Sequence, residues 1–192
     1  MLLSQQRSIL QQIEGELTDS YGVKSKHEGY AYISMLRQNL EIRLSDLMYE
    51  EVLISKENKN ILKVKVHSLY HDLFQSHASQ LGHYFRHLYH TVKFVDGSSE
   101  PNKKKYVDII QSQMNTDELY LTAINGISNY GRKRMLPLLD KYSFLENMII
   151  EDSAVSRLVT IFYPNTKQKT VNNNMKNIVF VGGIHGVGKS HF

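Results

Sequence analysis

Eight residues near the C-terminus have the types and spacing of a phosphate cradle. Gly183-Ile184-His185-Gly186-Val187-Gly188-Lys189-Ser190 fits G-x-x-x-x-G-K-[ST], the Walker A pattern. Glycines let the backbone curl so that its N–H groups face phosphate oxygens, which larger side chains would obstruct. Lys189 would neutralise the β- and γ-phosphates, and the Ser190 hydroxyl would hold Mg²⁺. The nucleotide-binding candidates are therefore Gly183, Gly186, Gly188, Lys189 and Ser190, and the ligand they imply is ATP or GTP with Mg²⁺. The apolar run 178–181 just before them reads as the strand such a loop requires. No carboxylate follows Asp152 to act as a later metal-binding acid. A nucleotide site only begun is the expectation: this chain alone is not a competent NTPase, and is either a fragment of a longer protein or one ending in a remnant tail.

Histidine supplies the second cluster. Six of nine histidines fall between His67 and His90. Helical geometry over 81–95 sorts Leu81, Tyr84, Phe85, Leu88, Val92 and Val95 onto one apolar face. His83, His87 and His90 then form a stripe on the opposite side, with Arg86 and Lys93 beside it. Spacing of four then three is sterically able to bind a metal. Yet no carboxylate orients the rings, and three ligands from one straight helix rarely converge, so no metal is expected. Arg86 with His90 or His87 is the candidate catalytic set. It invites comparison with helical ribonucleases of the HEPN type, in which an arginine and a histidine with about four to six residues between them meet at a dimer interface, a spacing from which this pair departs. Here only three residues separate Arg86 from His90. The plainer alternative is a polar stripe packed against another helix or a partner.

The elements that must position these residues read as helices through the first 150 positions, where only Pro101 and Pro137 intervene. Apolar spacing predicts helices over 4–17, 28–55 and 61–95, the last with Gly82 inside it. A polar turn is expected at 56–60 and a loop at 96–102. Helix resumes over 103–113. Asn115 with Glu118 predicts a capping box that starts a helix through Ile127. Asn125-Gly126-Ile127-Ser128 reads as a helix end where small residues permit close approach, and 136–148 as a last short helix. The β-branched and aromatic run 157–163 reads as a strand stopped by Pro164, followed by a polar linker over 165–174. The fold class expected is mainly α: an antiparallel helical bundle with a short C-terminal β segment and P-loop. Its divisions are a helical domain at 1–152, strand and linker at 153–174, and the opening of a P-loop domain at 175–192.

Composition bounds what these groups can do. With 192 residues, 41% hydrophobic and 22% charged, the chain has ordinary globular proportions. Zero cysteines exclude disulfides and thiolate chemistry. No run reaches the roughly 18–20 apolar residues of a membrane span, and the N-terminus turns polar too soon for a signal peptide. A cytoplasmic protein that does not engage a membrane is the expectation. The first hundred residues carry 11 basic and 12 acidic groups, the rest 12 and 7. That basic second half, with Lys103-Lys104-Lys105 and Arg132-Lys133-Arg134, is able to attract nucleic acid, though such runs are more often solvated.

Two blocks carry a family resemblance. Leu81-Gly82-His83-Tyr84-Phe85-Arg86-His87-Leu88-Tyr89 and Tyr106-Val107-Asp108-Ile109-Ile110-Gln111-Ser112-Gln113 resemble the phage abortive infection protein family. Glu118-Leu119, Asn125-Gly126-Ile127-Ser128 and 136–147 with Lys141-Tyr142 look like its continuation, so the resemblance covers roughly 30–148. It implies a role in bacterial defence against phage and carries no catalytic assignment. The expected function is a helical sensor or interaction module coupled to the P-loop, engaging a protein partner or phage-derived trigger, with a homo-oligomer conceivable. The alternatives are a ribonuclease effector using Arg86 and His90, or a pure interaction module with an inert tail.

Overall fold

The structure, a computed structural model, describes residues 2–18, 22–49, 58–148 and 154–166. Among these the chain runs α1 (Leu2–Gln12), β1 (Glu14–Thr18), β2 (Lys24–Glu28), α2 (Gly29–Tyr49), α3 (Lys59–Ser76), α4 (Ala78–Gly97), α5 (Lys103–Gln111), α6 (Thr116–Ile127), α7 (Met135–Lys141) and α8 (Ala154–Phe162). The mainly α reading holds. Ile33, Leu36, Leu40 and Leu44 recur at helical spacing and are all fully buried, because α2 packs against α1, α3, α6 and α8. α4 forms the other wall and touches α1, α3, α5 and α7. α6 lies deepest, with Leu119, Ile124 and Ile127 in the core. Its start is the expected capping box: Glu118 N–H donates to Asn115 Oδ1, and Asn115 N–H to Glu118 Oε2, each at 2.9 Å.

Four expectations are corrected. The first helix stops at Gln12, and Leu17 lies on β1 of an antiparallel hairpin with Glu14 opposite Glu28 and Thr18 opposite Lys24. Gly15 explains the switch. A Cβ there would lie 2.7 Å from the Tyr32 ring of α2, so the strand needs glycine to pass beneath that ring. The helix expected over 61–95 is two helices that break at His77, whose backbone leaves the helical region (φ −128°, ψ 22°). Its Nδ1 lies 2.5 Å from the Tyr32 hydroxyl. A tertiary bond, not a Gly or Pro, accompanies the break.

The run 157–163 is not a strand. Ala154, Val155, Leu158, Val159, Ile161 and Phe162 fall on one buried helical face, so the period is 3.6 and the β-branched composition misleads. The short C-terminal β segment is therefore replaced, among the described residues, by α8, and the sheet is the N-terminal hairpin. Lys59 fastens α8: its Nζ donates to the Ile161 carbonyl at 3.0 Å and lies 5.1 Å from the centre of the Phe162 ring. The helix expected over 136–148 starts at Met135 but ends at Lys141 in a Schellman motif. Phe144 N–H reaches the Leu139 carbonyl at 2.8 Å and Ser143 N–H the Asp140 carbonyl at 3.1 Å. Ser143 takes the left-handed conformation (φ 50°) usually given to glycine.

Gly126 confirms the expected close approach. A Cβ at this position would collide with the Tyr163 hydroxyl, which donates to the Ala123 carbonyl at 2.6 Å. The strand expected at 178–181, the phosphate loop and the polar linker from 167 onward lie outside the described residues.

Candidate functional site

α4 sorts its side chains much as helical geometry requires. Leu81, Tyr84, Phe85, Leu88 and Val92 are buried, Val95 is half-buried, and His83, Arg86 and His90 are exposed. His87 departs from the stripe. It turns against α1, where its Nδ1 lies 2.5 Å from Gln6 Oε1. With that oxygen as acceptor, Nδ1 carries the proton and the buried Nε2 has no partner among the described residues. Burial, and then the neighbouring His83 and His90, hold the His87 pKa below its ordinary value. A polar pair between helices describes His87 better than a surface base does.

Arg86 and His90 share a different environment. Both line a cleft of about 420 Å³ between α4 and the turn that follows α6. Its walls are Phe74, Phe85, Tyr89 and Tyr130, and its far rim holds Asn125, Gly131 and Arg134. The charged residues lining it are all basic. Arg86 and Arg134 are exposed, and neither guanidinium forms a hydrogen bond or ion pair with another described residue. Two unpaired guanidinium groups and an imidazole around aromatic walls favour an anionic ligand with a flat apolar part.

Close packing builds the far rim. Ser128 Oγ donates to the Asn125 carbonyl at 2.7 Å and accepts from Tyr130 N–H at 3.2 Å. Gly131 then runs so near α6 that a Cβ would meet the Asn125 carbonyl oxygen at 2.6 Å and Gly126 Cα at 2.9 Å. Its carbonyl accepts from Arg134 N–H at 3.1 Å and Met135 N–H at 2.7 Å, which sets Arg134 at the head of α7. Tyr130 is fixed as well. Its ring lies 4.0 Å from that of Phe74, and its hydroxyl contacts Gln75 Nε2 at 2.8 Å and His71 Nδ1 at 2.7 Å.

His90 also borders a wider groove of about 920 Å³ on the other side of α4, beside His87, Lys93 and Phe94. Lys93 Nζ there lies 5.7 Å from the centre of the Tyr89 ring. This groove is larger, but it brings together fewer cations without a partner than the smaller cleft does.

Sequence spacing alone brings out Arg86 and His90 as a pair. It does not reveal Arg134 as their neighbour, although the run Arg132-Lys133-Arg134 was conspicuous. Two lysines of the other run are engaged elsewhere: Lys103 Nζ donates to the Asp96 carbonyl at 2.6 Å, and Lys104 pairs with Asp108 and Glu146. Among the described residues no group of three His, Asp or Glu stands close enough to hold a metal ion, His83, His87 and His90 included. Gly183, Gly186, Gly188, Lys189 and Ser190 lie outside the described residues.

Beneath the site runs a buried polar contact that spacing did not suggest. The Tyr84 hydroxyl donates to Glu118 Oε1 at 2.6 Å, tying α4 to the capping box of α6. Burial raises the Glu118 pKa above the usual carboxyl value, against the lowering effect of its bonds from Tyr84 and Asn115.

Comparison with known proteins gives a family match. Residues 76–153 match the family model described as "Putative phage abortive infection protein", which spans α4 to α7. The resemblance read from the sequence thus holds over this region, less than half of the chain, and not over the 30–75 part of its expected extent. No curated protein and no solved structure matches the chain. No helix among the described residues is long and apolar enough to cross a membrane.

Proposed function

We propose that this chain serves bacterial defence against phage by abortive infection, acting in the cytoplasm, and that its helical unit engages the trigger or partner at the Arg86–Arg134 cleft. The observation that carries this reading is a coincidence of two spans. The family match covers 76–153, and Gly82, Arg86, His90, Asn125, Tyr130 and Arg134 of the cleft all fall inside it. The Gly183–Ser190 loop would add ATP or GTP with Mg²⁺ and gate the helical unit's action. Phage plating tests the reading. At matched protein abundance Arg86→Ala should lower protection about tenfold or more, the worth of a charge-assisted contact. Full protection by Arg86→Ala would sink it.

A second reading, RNA cleavage, is favoured by the placement of Arg86 and His90 on one cleft. His90 would take the proton of the attacking ribose 2′-hydroxyl as that oxygen bonds the phosphorus and the P–O5′ bond breaks. The 5′-oxygen would leave with a proton from water, while Arg86 stabilises charge on the phosphoryl oxygens. RNA integrity in infected cells separates the two. Cleavage that depends on both residues selects the nuclease, whereas intact RNA during effective protection selects the interaction module.

A further inference from the structure

We propose that the α4 cleft binds a single nucleotide, its phosphate held between the Arg86 and Arg134 guanidinium groups and its base lying against Tyr89 and Tyr130. This deepens the reading above and rests on it for the location of the working site.

Charge comes first. No acid lines the cleft, and its two guanidinium groups have no partner among the described residues. A guanidinium presents a planar fork of donors that matches phosphate oxygens two at a time, and it is weakly hydrated enough to be recruited into a contact. Unpaired arginines on facing elements, one on α4 and one at the head of α7, grip an anion from two sides. His90 adds a third donor at the same rim.

Shape comes second. About 420 Å³ lies in the range of small-ligand clefts. The walls supply ring faces and edges, the surface against which a base gains contact without sequence reading. Tyr130 is held in place by Phe74, Gln75 and His71, so it is ordered before the ligand arrives.

Extent decides between a nucleotide and a nucleic-acid strand. A strand needs a track of cations beyond the cleft. On α5, which packs against α4, Lys103 and Lys104 are engaged with Asp96, Asp108 and Glu146, and of that run Lys105 alone is exposed. Lys141 of α7 is paired with Asp96 at 2.6 Å. Two arginines and a histidine suit one or two phosphates.

The test is calorimetric titration of the full chain carrying Lys189→Ala, which removes phosphate-loop chemistry from the readout. The probes are AMP, adenosine, inorganic phosphate and a 5′-phosphorylated single-stranded RNA ten-mer. AMP should bind, with adenosine and phosphate each about tenfold weaker or more. Arg86→Ala and Arg134→Ala should each weaken AMP about tenfold. Lys133→Ala, exposed in the same turn but outside the cleft, should leave AMP binding unchanged. Absence of AMP binding at millimolar concentration, or binding indifferent to both arginine variants, overturns the proposal. RNA binding at least about tenfold tighter than AMP and lost in both variants also overturns it, and gives the cleft to nucleic acid. If AMP fails while Arg86→Ala still abolishes protection, the ligand is wrong and the site stands.

Discussion

His77 joins α3 to α4 and meets the Tyr32 hydroxyl of α2, so one ring couples three helices. Burial holds its pKa, and those of His67 and His87, below the ordinary imidazole value. Each resists protonation in the folded chain and takes up a proton more readily once unfolded. The stability they support is therefore full above their unfolded value, about 6.5, and is lost as pH falls through the lower folded values. Glu118 works with the opposite sign. Its raised pKa gives a contribution present below the usual carboxyl range and lost as pH rises through the folded value. The urea midpoint should fall as pH drops from about 7 to 5. His77→Gln should flatten that fall, and Glu118→Gln, which keeps the cap, should steepen its lower end. A midpoint that stays level or rises over this interval would contradict the account. At this scale Arg86 and His90 were legible because four residues make about one helical turn. Arg134 was not, since its place depends on how Gly131 packs on α6.

Elements are held by a few close approaches, and these make the sharpest stability tests. Gly131→Ala forces a Cβ against the backbone of Asn125 and Gly126, which cannot yield as a flexible side chain would. It should cost about 1–3 kcal/mol in chemical denaturation and weaken cleft binding, because Tyr130 and Arg134 ride on the same turn. A neutral substitution would mean that the rim is built differently. Ser143→Gly runs the other way. It relieves a left-handed residue at the C-terminus of α7 and should stabilise by about 0.5–1 kcal/mol, less what is lost with the bond from Ser143 Oγ to the Asn165 carbonyl. A drop in midpoint would show that this bond outweighs the backbone. The same contacts explain which elements the sequence concealed. The break at His77 carries no Gly or Pro and depends on Tyr32. The hairpin's second strand, Lys24–Glu28, has no apolar alternation to announce it. α8 was concealed because a window starting at Arg157 omits Ala154 and Val155, which complete its helical face. The apolar face of α4 and the capping box of α6 needed only local spacing, and both were readable.

For the whole molecule, the mainly helical class followed from the scarcity of proline and the three-and-four spacing of Leu and Ile. The arrangement did not, because the walls that α2 and α4 form and the deep placement of α6 are matters of packing partners. The phosphate loop proposed at 183–190 lies outside the described residues. In the intact gene product Lys189→Ala should weaken ATP or GTP binding at least about tenfold by loss of a charge-assisted phosphate contact, measured by equilibrium dialysis. Unchanged binding would remove nucleotide gating from the account. The central claim is that the cleft between α4 and the head of α7 is where the family-matched unit works, and Arg134 tests it most directly, since only the fold brings it there. Cells expressing Arg134→Ala at wild-type abundance should lose protection about tenfold or more in phage plating, while Lys133→Ala cells keep it. Equal protection by the two variants would contradict the account.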